Sequence, residues 1–152
     1  MTSPVAPLVL CTLHCFVVDA TIKVSWRDAE AKCQASGGVL ASIENVDQNQ
    51  NIEKIIDAKV RSEKLDGQWH QFWIGGKLLG SHRGRGSNWQ WTDGTTWRFI
   101  RWNLNEPNNQ NGHKETEGCV AFEWIGGGLD NDRWGDYPCS QRKHYICKVP
   151  AK

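Results

Sequence analysis

Asn103-Leu104-Asn105-Glu106-Pro107-Asn108-Asn109-Gln110-Asn111-Gly112-His113-Lys114-Glu115-Thr116-Glu117-Gly118 is nearly devoid of apolar residues, yet it lies between segments rich in tryptophan. Compact domains carry such long polar connections chiefly where a loop is functional or disordered. Four oxygen-bearing side chains stand out in and just after it. Glu106 and Asn108 flank Pro107, Glu117 lies close to Cys119, and Asp136 lies close to Cys139. Carboxylates gathered in one region repel each other unless a cation offsets them, and a hard cation such as calcium takes six to eight oxygen ligands at about 2.3–2.6 Å. An X–Pro bond is also the peptide in which cis is cheap, so Glu106 and Asn108 can be held in one orientation.

Working outward, Phe72-Trp73-Ile74-Gly75 and Trp89-Gln90-Trp91 read as short strands between Gly-rich and polar turns. Cys119 to Glu123, Asp132 to Asp136 and Lys143 to Val149 read as three closing strands. Gly80 to Ser87, with Arg83 and Arg85, reads as a solvated loop; it lacks the strand-to-helix context of a phosphate loop. Upstream, Ser25-Trp26-Arg27-Asp28 fits a capping box, and Trp26, Ala29 and Cys33 then share one helical face until Gly37-Gly38 stops the helix. Val39, Ala41 and Ile43 alternate as in a short strand. A second helix begins near Asn45, with Ile52, Ile55, Ile56 and Val60 as its apolar stripe, and ends within Arg61 to Gly67. The apolar stretch Val5 to Val18 reads as a first strand. Two helices followed by many short strands make the class α+β, with residues 1–152 as one domain and no internal repeat.

Composition narrows the function. With 18 basic and 17 acidic residues the net charge is +1, which gives no electrostatic reason to expect nucleic acid or an anionic membrane as partner. No segment reaches the roughly 18–20 apolar residues needed to span a bilayer. Six cysteines without a C-x-x-C pair point to disulfides and a secreted or extracellular setting. The nine tryptophans are expected mostly in the core, Trp73, Trp89, Trp91 and Trp102 above all, with Trp124 and Trp134 also there. Histidines other than His113 are expected at the surface or at sheet edges. There is no H-E-x-x-H and no G-x-S-x-G, and nothing suggests a dry pocket that would turn Glu106 or Glu117 into a general acid. The chain therefore reads as a binding module and not an enzyme. It contains no Asn-x-Ser/Thr acceptor for N-glycosylation.

The ordered set Trp73-Ile74-Gly75, Trp89-Gln90-Trp91-Thr92-Asp93-Gly94, Trp102, Glu106-Pro107-Asn108-Asn109, Glu117-Gly118-Cys119, Trp134-Gly135-Asp136 and Tyr145-Ile146-Cys147 resembles the C-type lectin domain, from about Cys15 to Val149. That resemblance implies a lectin-like fold with a long loop region at one end. It implies disulfides Cys33–Cys147 and Cys119–Cys139, the first closing a loop of over about 100 residues, worth about 4–5 kcal/mol in the chain-entropy model. Cys11 and Cys15 stand where the family has an extra pair. Their tight spacing leaves both a local bridge and an interchain bridge open.

The resemblance further implies one calcium ion held by Glu106, Asn108, Glu117 and Asp136, with a sugar bound through two adjacent hydroxyls. Carboxylate oxygens would accept from those hydroxyls and amide nitrogens would donate to them. Asn109 and His113 are expected at the rim. Glu-Pro-Asn goes with mannose-, glucose- or N-acetylglucosamine-type sugars, where galactose-type members carry Gln-Pro-Asp. Innate immunity or recognition of cell-surface glycans would be a natural setting. One site of this kind is weak, so homo-oligomers, which an interchain bridge could link, would supply avidity.

Two departures bear on this. Gly135 stands where the family carries asparagine, which removes one amide ligand and lowers the expected calcium affinity. Losing one hydrogen bond to the sugar costs on the order of 1 kcal/mol. The auxiliary calcium site is expected to be absent, since no acid lies between Gly76 and Trp91 and Gly118 replaces an acidic position. Gly135 also keeps two rival readings open: a lectin-like fold that binds a protein, and a sugar site that works without metal.

Overall fold

The computed structural model describes residues 13–65, 69–79, 88–108, 118–126 and 132–151. β1 (His14–Val24) leads directly into α1 (Trp26–Ala35), because Ser25 between them is extended and its Oγ accepts from the Asp28 amide at 3.2 Å. The helix buries Trp26, Ala29 and Cys33 and is followed by Gly37 at φ 88°, a left-handed turn that glycine adopts without penalty. Gly38 is dictated by crowding: a Cβ there would stand 2.4 Å from the Lys148 carbonyl oxygen.

After the short β2 (Val39–Leu40), Asn45 caps α2 (Val46–Glu63), its Oδ1 accepting from the Gln48 amide at 2.9 Å. Ile52 and Ile56 are its fully buried apolar side chains, with Ile55 and Val60 packed beside them.

The remaining strands are β3 (His70–Leu79), β4 (Asn88–Trp91), β5 (Gly118–Trp124), β6 (Arg133–Pro138) and β7 (Lys143–Pro150). They join β1 and β2 in one sheet with the path β1-β7-β3-β5-β6, with β2 added to β7 and β4 to β3. Pairing is antiparallel except between β3 and β7, which run parallel through Phe72↔His144 and Trp73↔Tyr145. This is the α+β, disulfide-stapled arrangement expected from the sequence. Among the described residues, no helix is long and apolar enough to cross a membrane.

Three expectations are corrected. β1 starts at His14 and runs to Val24, so only the end of the Val5–Val18 stretch belongs to it; residues before Leu13 lie outside the described part. As an edge strand paired only to β7, it tolerates polar residues, and its polarity hid its extent. Val39 to Ile43 does not alternate: Leu40, Ala41, Ser42 and Ile43 are all buried, because the segment is covered on both sides. His70 and His144 are buried, His70 with its ring 5.4 Å from that of Trp124 and His144 with Nδ1 2.8 Å from the Ile22 carbonyl oxygen. Trp69 is 57% exposed and stands apart from the buried tryptophans.

Cys33–Cys147 ties α1 to β7 across 114 residues, and Cys119–Cys139 joins the start of β5 to the turn after β6. Cys15 is disulfide-bonded; Cys11, its partner in the local bridge that the sequence left open beside an interchain one, lies outside the described residues. Trp134 is the hub of the core beneath the polar loop. It is fully buried, with rings of Trp91, Trp97, Phe99 and Trp102 edge-on at 5.2–6.1 Å. Its Nε1 donates to Asn49 Oδ1 at 3.0 Å, while Asn49 Nδ2 donates to the Asp132 carbonyl at 3.1 Å, so a buried amide fastens α2 to β6.

Candidate functional site

The same tryptophan positions the polar loop. The Trp134 amide donates to the Arg101 carbonyl and the Asn103 amide donates to the Trp134 carbonyl, both at 2.8 Å, which lays residues 101–103 alongside β6. From that anchor the chain turns sharply. Asn105 takes a left-handed φ of 65°, and the Glu106 amide donates to the Asn103 carbonyl at 3.0 Å. The Glu106–Pro107 peptide is cis and Pro107 is buried.

Three of the expected ligands come together there. The Asn108 amide donates to Asp136 Oδ1 at 2.8 Å, the Asp136 amide donates to Glu106 Oε2 at 3.1 Å, and Asn108 Nδ2 donates to Glu106 Oε1 at 2.7 Å. Asn109, His113 and Glu117, expected at the site, and Arg83 and Arg85, expected on a loop, lie outside the described residues.

Electrostatics at this spot suit a cation. Burial, followed by the adjacent Asp136, pushes the Glu106 carboxyl up to about 8, so the site holds one acid that resists ionising beside another. A divalent ion would relieve that conflict, and two carboxylates with an amide oxygen are a hard donor set of the right chemistry. Among the described residues no group of three or more His, Cys, Asp and Glu is arranged to hold a metal, so the set is incomplete without a further ligand such as Glu117.

Gly135 has a structural cause that the sequence reading missed. It lies within β6, opposite Ala121, and its φ is outside the left-handed region. A Cβ there would fall 2.3 Å from Glu123 Oε1 and 3.0 Å from Tyr137 Cε2. Glu123, from β5, thus occupies the space that a side chain at 135 would need. It is 4% exposed, and burial raises its carboxyl above the ordinary range despite hydrogen bonds from Tyr137, Asn103 and Trp69 and the charge of Lys143.

The network continues away from the loop. Gln71 Nε2 donates to Tyr137 Oη at 2.9 Å, and Lys143 Nζ donates to Gln71 Oε1. Burial together with Glu123 pushes the Tyr137 hydroxyl far above its usual value, so it stays a donor. The available signal was a glutamate inside the apolar run Val120-Ala121-Phe122-Glu123-Trp124, which needs a partner when buried.

A family model described as Lectin C-type domain matches residues 22–149. A protein named Lectin from Pleurodeles waltl is 33% identical over 126 residues, covering 82% of this chain and 63% of its own. Among solved structures, the carbohydrate-recognition domain of the mouse scavenger receptor C-type lectin superposes with a TM-score of 0.70 at 22% identity, covering 94% of this chain and 95% of that one. A calcium-independent type II antifreeze protein superposes with a TM-score of 0.65 at 28% identity, covering 99% of this chain and 98% of that one. The chain spans 63% of the length of that Pleurodeles lectin, 34% of mouse layilin and 8% of rat C-type mannose receptor 2.

Proposed function

The chain belongs to the C-type lectin domain family, and on that premise we propose that it is an extracellular carbohydrate-binding module whose sugar site is built on Glu106, Asn108 and Asp136. The observation that carries this reading is their convergence: Asn108 and Glu106, side by side in the loop, both bond to Asp136 from β6. With Glu117 they would hold one calcium ion, which supplies a Lewis-acidic anchor for two neighbouring sugar hydroxyls. The protein's own part is to orient those hydroxyls. Glu106 oxygens accept from them, Asn108 Nδ2 donates to them, and both contacts are strengthened by charge. The Glu-Pro-Asn order supports mannose-, glucose- or N-acetylglucosamine-type sugars, with Asn109 and His113 at the rim. The setting we propose is glycan recognition outside the cell, with oligomers supplying avidity.

Gly135 and Glu123 favour a second reading, in which the loop binds its ligand without metal. In that case Glu106, protonated near neutral pH, would itself donate to the ligand. The similarity to a calcium-independent antifreeze protein keeps a non-sugar surface in view as well.

A glycan array probed with and without chelator separates these readings. Binding that vanishes in chelator supports the calcium site, and binding that persists supports the metal-free one. Absence of glycan binding in both conditions overturns the sugar reading.

A further inference from the structure

A second concave site lies at the far end of the Glu123 network, where three strand ends meet. Lys23 near the end of β1, Trp69 and Gln71 around the start of β3, and Arg142 and Lys143 at the start of β7 line a cavity of about 220 Å³. His70 and His144 complete the lining, which includes no acid among the described residues. Ligand pockets for drug-sized molecules run to about 300–1,000 Å³, so this one suits a single charged ring or group.

Its charges are crowded and its cations are placed for use. Lys143 is buried, donates to Gln71 and to Gln141 Oε1 (3.0 Å), and lies 3.9 Å from the centre of the Tyr137 ring. Burial, together with the neighbouring Lys23, pulls its ammonium down to about 8. Lys23 and Arg142 are exposed, and neither has a carboxylate partner among the described residues. Glu123 offsets Lys143 from behind, which leaves Lys23 and Arg142 as like charges at the rim of the concavity; that arrangement favours an anion there, and a guanidinium matches the fork of a sulfate or carboxylate. Trp69 adds an aromatic face. Its ring is more than half exposed while its side chain hydrogen-bonds Glu123, which holds the indole in place.

We propose that this cavity binds the sulfate or carboxylate of an acidic saccharide, with Arg142 and Lys23 on the anion and Trp69 against the sugar ring, independently of the Glu106 site. The test is calorimetric titration of the full chain in chelator, so that any calcium-dependent site is silent. The probes are N-acetylglucosamine 6-sulfate, glucuronic acid, neutral N-acetylglucosamine and inorganic sulfate. At least one acidic sugar is expected to bind, the neutral sugar not at all, and whichever binds identifies the source of the anion. Lys23→Ala/Arg142→Ala is expected to weaken binding by at least about tenfold through loss of two charge-assisted contacts. Trp69→Ala is expected to weaken the acidic sugar and leave inorganic sulfate unchanged. Lys32→Ala/Lys54→Ala, which removes two exposed charges elsewhere, is expected to change nothing.

The proposal is overturned by silence from both acidic sugars or by equal binding of the neutral one. Equal weakening in the Lys32/Lys54 control overturns it too. All these changes fall on exposed residues, so a circular dichroism melt close to that of the parent verifies the fold of each variant.

Discussion

Restoring the family's asparagine at position 135 is expected to damage this protein unless Glu123 is removed with it. In Gly135→Asn the new Cβ meets Glu123 Oε1 at 2.3 Å and Tyr137 Cε2 at 3.0 Å. The carboxylate is the end of a flexible side chain and can swing aside, so the backbone need not break. It leaves behind its hydrogen bonds from Tyr137, Asn103 and Trp69 while remaining in a buried place. Overpacking costs about 1–3 kcal/mol, and hydrogen bonds to a charged group are worth about 1.5–3 kcal/mol. Partial relaxation brings the expected loss to roughly 2–4 kcal/mol, or about 5–15 °C in melting temperature for a domain of this size. The assay is urea unfolding followed by tryptophan fluorescence, with disulfides intact, for Gly135→Asn, Glu123→Ala and the double variant. Because the double variant has no clash, it is expected to be more stable than the sum of the singles by about 1–3 kcal/mol. It is also expected to gain a larger calcium-induced rise in melting temperature than the parent. Additivity within about 0.5 kcal/mol would refute the reasoning, since the two positions would then act independently.

Without calcium, stability is expected to fall as pH rises from about 4 to 8. Asp132 is raised from 3.8 to about 6, chiefly by burial, and Glu106 from 4.5 to about 8, so over these windows the folded state binds more protons than the unfolded one. Chemical denaturation across pH should give a slope of at most about 1.4 kcal/mol per pH unit for each group, with Asp132→Asn removing its share between about pH 4 and 6 and Glu106→Gln its share between about pH 4.5 and 8. Excess calcium is expected to raise the melting temperature of the parent and leave that of Glu106→Ala unchanged, measured by scanning fluorimetry. Replacing both Cys33 and Cys147 by alanine is expected to lower the unfolding free energy by about 5 kcal/mol, the loop-entropy value for a closure of 114 residues.

Much of this architecture was legible because local chemistry and tertiary demand agree. Ser25 and Asn45 mark both helix starts, and the apolar stripes of α1 and α2 face the core as their spacing predicts. Glu106, Asn108 and Asp136 could be grouped because their residue types, their proline and their neighbouring cysteines carry a pattern along the chain. Glu123 could not. It reads as an ordinary strand residue, and its bearing on Gly135 arises only from a diagonal contact between β5 and β6 that no local rule encodes. The same holds for His70 and His144, whose burial is decided by which strands flank them, and for β1, whose edge position lets polar residues extend it past its apolar part.

The pairing of β1 with β7 sets how the domain takes mechanical load. His14 lies opposite Pro150, and the Ala151 amide donates to the Leu13 carbonyl at 3.0 Å, so the two ends of the fold leave from the same corner. Tension applied between them opens the rungs one after another, like a zipper, in place of loading them all at once. With β1 peeled away, the pull reaches β7 at Cys147, whose covalent link to Cys33 carries the force straight into α1. The loop holding Glu106 and the strand holding Asp136 lie between those two cysteines in the chain, so the bridge bypasses them and the face proposed for binding is shielded from the strain.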